Sequence, residues 1–497
     1  MSADERVLSR RRLRNAVRAR IGVDRRALAA FRIALAVTLL VDLGLRARNL
    51  TAFYTDAGVL PRSALAEASP LAARVSLHAL SGEAWAVGLL FLVAAAAAVA
   101  LAVGYRTRVA TALSLVLLAS LQARNPFVLN AGDTLFWQLL GAGLFCPLGA
   151  RWSIDAVRRQ GSDAASTHEG RTARERFAGS ASALLLAVVL VVYVSNAVEK
   201  LRGTAWPGGE AVELVFRLTY LHGPLGGLVP EAPGLLAAAT YGWLALLVAS
   251  PLLVASAGRV RAALAGTLFA AHLSMAFTLQ IGVFSAISAA ALLPFFPPFV
   301  WDRVEELAGP TSERLRRWAE SFADGPGESA PSKRPVRGRV VAGVAVVLLA
   351  ALLAWNGMAL GLVDAPEPVA TVTDPTERGW NMFAPDPPST DSLVLTTATT
   401  AGGDRIDALY GDPVAADRPP SDARAYPTAR WRKYLTLLAA DESPARVDAL
   451  LAHLCARPGG DIGVDAASVS VSTVEIDVTG GNETQVHELG TRECRTG

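Results

Sequence analysis

Long apolar segments, separated by short polar or basic stretches, dominate the first 363 residues of this 497-residue chain. Nine of these segments approach the roughly 18 residues that a helix needs to cross a membrane. The pattern therefore predicts a mainly α fold, a polytopic helical bundle of about nine transmembrane helices in a lipid membrane. The segments lie at about 27–45, 84–104, 108–123, 133–149, 181–199, 234–256, 261–280, 281–300 and 339–363.

The pattern changes after the last apolar segment. Residues 391–400 and 468–478 alternate like strands, whereas 428–438 and 443–456 are typical of helices, the second with Ser443 and Pro444 at its start. The sequence thus predicts a small α+β carboxyl-terminal domain. The resulting units are a basic segment 1–26, a membrane domain 27–300 of about eight helices, a linker 301–338, a last transmembrane helix 339–363 and the domain 364–497.

Composition and charge support a membrane protein and predict its orientation. The chain is 52% hydrophobic and 18% charged, which is too apolar for an ordinary soluble protein. Segment 1–26 has nine Arg against three acids, and 151–180 has six Arg against four. With nine spans, these segments lie on the same side of the cell membrane. The positive-inside rule then predicts a cytoplasmic amino terminus, a cytoplasmic linker and an exterior carboxyl terminus.

Cysteine usage and motifs limit the chemistry. Cys455 and Cys494 lie in the predicted exterior domain, where a disulfide can persist, so we expect them to pair. No cluster of Cys and His has the spacing of a metal site, so no metal is predicted. Phosphate loops and nucleic-acid motifs are absent as well, and no nucleic-acid partner is expected.

Lys200 is the most distinctive polar residue of the membrane segments. It ends the fifth span and shares one helical face with Tyr193 and Asn196, at spacings of i, i+3 and i+7. One interpretation is an anchor that extends its ammonium group to the lipid headgroups. The other is a partly desolvated lysine that is neutral at working pH and acts as a base, oriented by Tyr193 and Asn196.

Other polar residues have the same two interpretations. Asn130 and Asp133 open the fourth span, where Asp133 either caps the helix, with Asn130 bonding between helices, or both contribute to substrate binding. His272 lies in the middle of the seventh span and is either an interhelical hydrogen-bond partner or a second titratable group of a site. Segment 378–388, which contains Trp380 and Phe383, is most simply an interfacial anchor.

Several strings in order resemble one family of membrane proteins. They are LAAFRIALAVTLLVDL (28–43), FYTDAGVLPR (53–62), GYRTRVA (104–110), RWSID (151–155), AVEKLRGTAWPGGEA (197–211) and HLSMAFTLQIGVFS (272–285), with WNMFAP and RWRKYL in the tail. Together they resemble the horizontally transferred transmembrane domain family, whose relatives include the vitamin K-dependent gamma-carboxylases. The resemblance spans most of residues 27–300.

The resemblance implies an enzyme that acts on a membrane quinol, with a reduced, vitamin K-like quinone as cofactor. Lys200 stands where the carboxylases have their base, and His272 also has a counterpart. One position departs from the family, because Gly132 stands where the carboxylases have a histidine. The same resemblance extends to a bacterial protein needed for the maturation of a secreted peptide toxin. The alternative function is therefore non-enzymatic assistance in processing a secreted peptide or protein, with Lys200 as an anchor.

Overall fold

The computed structural model describes residues 15–162, 176–309, 335–371, 373–413, 426–441, 443–456, 466–480 and 483–494. Its fold is mostly helical, with one small sheet near the carboxyl terminus. The longer helices are α1 (Arg25–Ala47), α2 (Ala84–Val103), α3 (Thr107–Arg124), α4 (Ala131–Leu144), α5 (Ser180–Arg202), α6 (Pro233–Val248), α7 (Gly258–Thr278), α8 (Phe284–Leu292), α9 (Pro335–Ala359), α10 (Ala429–Asp441) and α11 (Pro444–Cys455).

Short helices fill the connections. On the predicted exterior side they are Leu50–Tyr54, Arg62–Ala68, Pro70–Val75, Ala205–Gly208 and Ala211–Arg217. Ile154–Ser162 follows α4, Leu252–Ala255 follows α6, Pro298–Leu307 follows α8, and Glu367–Ala370 follows α9. Proline at the first turn, where its missing N–H is not needed, begins α6 and α11. The predicted Ser443-Pro444 start of α11 is confirmed.

Fewer helices than predicted are long and apolar enough to cross a membrane. Among the described residues, α1, α2, α5, α7 and residues 338–359 of α9 meet that criterion, which makes five. The count becomes six if the bent pair at the predicted span 281–300 is one crossing. There the chain turns by 109° between Phe284–Phe295 and Pro298–Leu307, because prolines at 294, 297 and 298 interrupt the helix. Two predicted spans became the shorter helices α4 and α6, with 14 and 16 residues, and α3 has 18 residues but is not apolar enough to meet the criterion.

Basic residues hold one end of the bundle together. Arg26 at the start of α1 binds Asp302 at 2.7 Å and Glu305 at 3.0 Å. Arg261, near the start of α7, donates to the carbonyl of Arg20, and Arg176, just before α5, donates to that of Gly22. Strand β1 (Val23–Asp24) pairs with β2 (Arg176–Phe177) at the same end. The segments that are rich in arginine therefore contact one another.

The tail forms a four-stranded antiparallel sheet and two helices. The strands are β3 (Thr390–Thr400), β4 (Arg405–Asp407), β5 (Ala466–Asp477) and β6 (Thr484–Glu493), in the order β4-β3-β5-β6. The sheet contains both predicted strands, and α10 and α11 match both predicted helices. A disulfide joins Cys455 at the end of α11 to Cys494 just after β6, as expected. It ties the helix to the edge of the sheet.

The tail packs on the bundle rather than standing apart from it. Four charged side chains, three of them buried and Arg430 partly buried, make the central contact. Arg46 of α1 binds Asp42 at 2.7 Å and also binds Asp133 of α4, while Arg430 of α10 binds Asp42 at 2.7 Å and Asp133 at 3.4 Å. The side chains of Asp42 and Asp133 are only 2% and 3% exposed. Two carboxylates and two guanidinium groups thus neutralise one another, which offsets the free-energy cost of burying them.

Around this charge cluster, aromatic side chains pack in the interface between the bundle and the tail. Trp431 packs on Phe53 with ring centroids 4.7 Å apart, and the Tyr434 hydroxyl donates to the carbonyl of Val59 at 2.9 Å. Arg446 of α11 lies 4.2 Å from the ring centroid of Phe127. One hydrophobic core therefore runs from the bundle into the tail.

Loss of Arg430 should destabilise the docked tail. Arg430→Met leaves two buried carboxylates with one guanidinium, and breaking a buried charge pair costs about 3–5 kcal/mol. Thermal unfolding and limited proteolysis of the purified protein in lipid nanodiscs would measure the loss. The control is Arg303→Met, which removes an exposed pair with Glu306 and should cost less than about 1 kcal/mol. Equal stability of the two variants would contradict the proposed importance of the cluster.

Candidate functional site

A cavity of about 760 Å³ lies between the helices and under the tail. Its walls come from the start of α4, from α5, α6, α7 and α8, and from two tail segments, residues 382–383 and 432–433. Most of the lining is apolar, including Leu246, Phe216 and Met275, and Trp206 and Trp243 provide large aromatic faces. This volume and lining are typical of a site for a small, largely apolar molecule.

Lys200 reaches the wall of this cavity from the end of α5. Its side chain is buried, with the residue 1% exposed, and so does not extend to headgroups. Nζ donates to the carbonyls of Met382 at 2.7 Å and Phe383 at 3.0 Å, and it lies 3.8 Å from the centroid of the Trp206 ring. No carboxylate of the described residues lies within 4 Å of Nζ. Backbone dipoles and one aromatic face therefore surround this amine.

The carbonyls that receive Lys200 belong to residues 380–386, which we call the strap. Asn196 donates to the strap carbonyls of Trp380 and Met382, and the Trp206 indole N–H donates to that of Phe383 at 2.7 Å. Asp386 accepts from the backbone N–H groups of residues 204 and 205 at the start of a short helix. The strap is thus a cover over the site, and its prediction as an interfacial anchor was wrong.

Phe383 in the strap has a strained backbone. Its φ of +52° lies in the left-handed region that non-glycine residues seldom adopt. Such a conformation costs about 1–3 kcal/mol and persists only where surrounding contacts impose it. Here the contacts are the hydrogen bonds from Lys200 and Trp206 to the Phe383 carbonyl. The hydrogen bond from the Lys200 amine therefore helps to hold Phe383 in its strained conformation.

His272 lies on the same cavity wall and is held by aromatic rings. Its Nε2 is 2.9 Å from the Tyr193 hydroxyl, and its ring meets those of Trp243 and Phe284 edge to face. The residue is only 2% exposed, yet Nδ1 has no hydrogen-bond partner among the described residues. A buried polar atom without a partner is costly, so Nδ1 is available to a molecule in the cavity. Tyr193 orients His272 and not Lys200, contrary to the sequence prediction.

The start of α4 separates the roles of two predicted site residues. Asn130, and not Asp133, is the N-cap, because its Oδ1 accepts from the N–H groups of Gly132 and Asp133. Asp133 closes the capping box from the third position and belongs to the charge cluster. Asn130 lines the cavity, whereas Asp133 does not. Asp133 therefore contributes to docking of the tail.

Gly132 is packed too closely for a larger side chain. A Cβ atom at this position would lie 2.9 Å from Asn130 Oδ1 and 3.1 Å from Cα and Cβ of Phe284. The backbone and Cβ of Phe284 in α8 thus occupy the space that a side chain at position 132 would need.

Two basic side chains of α10 reach the cavity, and the sequence did not predict them as site residues. Arg432 lies 5.3 Å from the centroid of the Tyr220 ring, and its Nε is buried without a hydrogen-bond partner in the described part of the chain. Burial lowers the pKa of Arg432, and burial together with the charge of Arg432 lowers the pKa of Lys433. The sequence indicated that the RWRKYL helix has a cationic face, but it did not indicate that this face lies over the bundle.

The cavity thus brings together Lys200, His272, Tyr193, Asn196 and Asn130, and it omits only Asp133 of the predicted non-cysteine site residues. The shared helical face of Tyr193, Asn196 and Lys200 is confirmed. In the part of the chain that the structure describes, no group of three or more His, Cys, Asp or Glu side chains could hold a metal ion. Comparison with protein-family models, with curated proteins and with solved structures gave no match.

Close packing at Gly132 predicts an unequal effect of alanine along α4. Gly132→Ala should lower stability by about 1–3 kcal/mol, because the added methyl group forces α4 and α8 apart. Gly141→Ala in the same helix is the control, since its Cβ would meet nothing within 4 Å. Removing a glycine from a helix interior should stabilise it by roughly 0.5–1 kcal/mol. Thermal unfolding in nanodiscs distinguishes the two, and a harmless Gly132→Ala would contradict the packing argument.

Proposed function

We propose that this protein is an integral membrane enzyme that binds a lipid-soluble substrate in the cavity and uses Lys200 as a general base. The observation that carries the proposal is that Lys200 and His272 line one mostly apolar cavity, with no carboxylate of the described residues within 4 Å of the lysine amine. An anchoring lysine would instead extend to the headgroups. The site is built from groups that can move a proton.

The contacts of Lys200 suit an amine that accepts a proton. A neutral amine has two N–H bonds, and the strap offers two carbonyls to accept them. Its lone pair then points away from the strap. After proton transfer, the same carbonyls and the Trp206 face stabilise the ammonium group. The surroundings thus favour the charged product without a carboxylate that would keep the lysine permanently charged.

A reduced quinone, as the resemblance implies, fits this lining. Bound there, it would supply an ionisable hydroxyl group. Lys200 Nζ would take the hydroxyl proton, and His272 Nδ1 would hydrogen-bond an oxygen at another edge of the ring. Trp243 and Phe284 fix the imidazole plane for that contact. The proposal ends at deprotonation, because Gly132 and its close neighbours leave no counterpart of the histidine that the carboxylases have.

For membrane placement, we propose nine crossings with the amino terminus in the cytoplasm and the tail outside. The contacts among the arginine-rich segments support this placement, since they gather at one end of the bundle. Shorter helices such as α4 and α6 would cross together with the turns at their ends. The site then opens toward the outer leaflet.

Assistance in processing a secreted peptide is the alternative. The observation that favours it is the edge strand β6, whose side chains are mostly exposed and which pairs only with β5 among the described strands. An exposed edge can accept an extended peptide as a further strand. Pro substitutions at alternate positions of β6 would impair partner maturation under this alternative and leave a quinol reaction unchanged.

Substitution of Lys200 tests the proposed base. Lys200→Met and Lys200→Arg should each lower the rate at which purified protein in nanodiscs deprotonates a quinol, followed as oxidation of the quinolate to the quinone by dissolved dioxygen, by about 10²–10⁴-fold, the usual contribution of a general base. Arginine should fail because a guanidinium group does not lose its proton. Arg202→Gln, at the exposed end of the same helix, is the control and should retain activity. Full activity of Lys200→Arg, or a wild-type protein inert toward every quinol tested, would overturn the assignment.

Cysteine labelling tests the orientation. Thr479→Cys and Glu306→Cys each add one exposed thiol, while Cys146 is buried and the other two cysteines are joined. A membrane-impermeant maleimide should label Thr479→Cys on intact cells, and Glu306→Cys only after permeabilisation. The reverse order would move Lys200 to the cytoplasmic side.

A further inference from the structure

The ionisable side chains of the cavity wall are, apart from Tyr193, all bases. They are Lys200, His272, Arg432 and Lys433, and no Asp or Glu of the described residues lines the cavity. Three elements contribute these bases, namely α5, α7 and the tail helix α10. Such a wall attracts an anion, since charged groups recognise partners of opposite sign.

Arg432 and Lys433 differ from their neighbour Arg430 in how they are paired. Arg430 binds the carboxylates of Asp42 and Asp133. By contrast, no carboxylate of the described residues lies within 4 Å of Arg432 or Lys433, and Arg432 Nε is buried without a hydrogen-bond partner. Both side chains are partly buried, and a buried guanidinium N–H without a hydrogen-bond partner is unfavourable. An anion that enters the cavity would relieve that cost.

We propose that the cavity takes an anionic amphiphile, whose carboxylate or phosphate group binds Arg432 and Lys433 and whose apolar chain lies along the bundle wall. The apolar wall, with Leu246, Phe216 and Met275, argues for a chain, because a small free anion would leave this surface uncovered. The inference rests on the proposed function only in taking the cavity as a site for membrane-soluble molecules. It does not require Lys200 to act as a base.

The test uses dibrominated stearate and its methyl ester as probes, since bromine quenches tryptophan fluorescence on contact and Trp206 and Trp243 line the cavity. In nanodiscs of neutral lipid at mildly alkaline pH, the wild-type protein should bind the acid at least about tenfold more tightly than the ester, because hydrogen bonds to charged groups are strong. The Trp243→Phe variant should lose part of the quenching, which locates the probe in the cavity.

Charge variants decide the assignment. Arg432→Gln combined with Lys433→Gln should abolish the preference for the acid, whereas Arg432→Lys should retain it. Arg217→Gln removes an exposed cation outside the cavity and should also retain it. Thermal unfolding checks that each variant is folded, and if the double variant is not, Lys433→Gln alone should weaken the preference.

Three results would overturn the inference. They are equal binding of acid and ester, a preference that survives in the folded double variant, and displacement of the acid by inorganic phosphate, which would indicate a site for a free anion. Lys200→Met separates the two proposals. It should stop the quinol reaction and leave the preference for the acid intact, so failure of either proposal is distinguishable from failure of the other.

Discussion

The charge cluster of Asp42, Arg46, Asp133 and Arg430 is the contact on which the site depends. It lies where α1, α4 and the tail helix α10 meet, with Asp42, Arg46 and Asp133 buried and Arg430 partly buried. Because Arg430 is fixed there, the next turn of α10 directs Arg432 and Lys433 to the cavity. The tail, including the strap over Lys200, therefore completes a cavity that the bundle alone would leave open.

This arrangement explains how one lysine can stay buried without a carboxylate partner. The strap supplies carbonyls, Trp206 supplies an aromatic face, and Asn196 holds the strap from the same helix. The strained backbone at Phe383 is the local cost of that fit. An acidic partner would hold the lysine more firmly, but it would also keep the amine protonated. Carbonyl acceptors leave the proton exchangeable.

Sequence patterns predicted much of the fold and most of the cavity. Helical spacing put Tyr193, Asn196 and Lys200 on one face, and strand alternation identified β3 and β5, because both signals are local. Contacts between distant segments were not predictable in this way. Nothing in the sequence showed that Lys200 meets the carbonyls of Met382 and Phe383, some 182 and 183 positions away. Asp133 was predicted as a cap or a binding residue. The sequence did not show its ion pair with Arg430, which lies 297 positions away. Nine spans were predicted, whereas five helices of the described residues are long and apolar enough to cross a membrane, in part because prolines interrupt the apolar segment at 281–300.

Chemical labelling tests whether Lys200 is a neutral base that faces a ligand cavity. The reagent is a lipid-soluble, amine-reactive aldehyde, and labelling is followed by reduction and mass spectrometry. Only a neutral amine reacts, and only an amine that faces the cavity is shielded by a cavity ligand. We expect Lys200 to be labelled in the native protein in nanodiscs, and a lipid-soluble quinone to protect it in proportion to occupancy. A Lys200 that never reacts in the native protein, or reacts equally with and without quinone, would contradict a base in a ligand cavity.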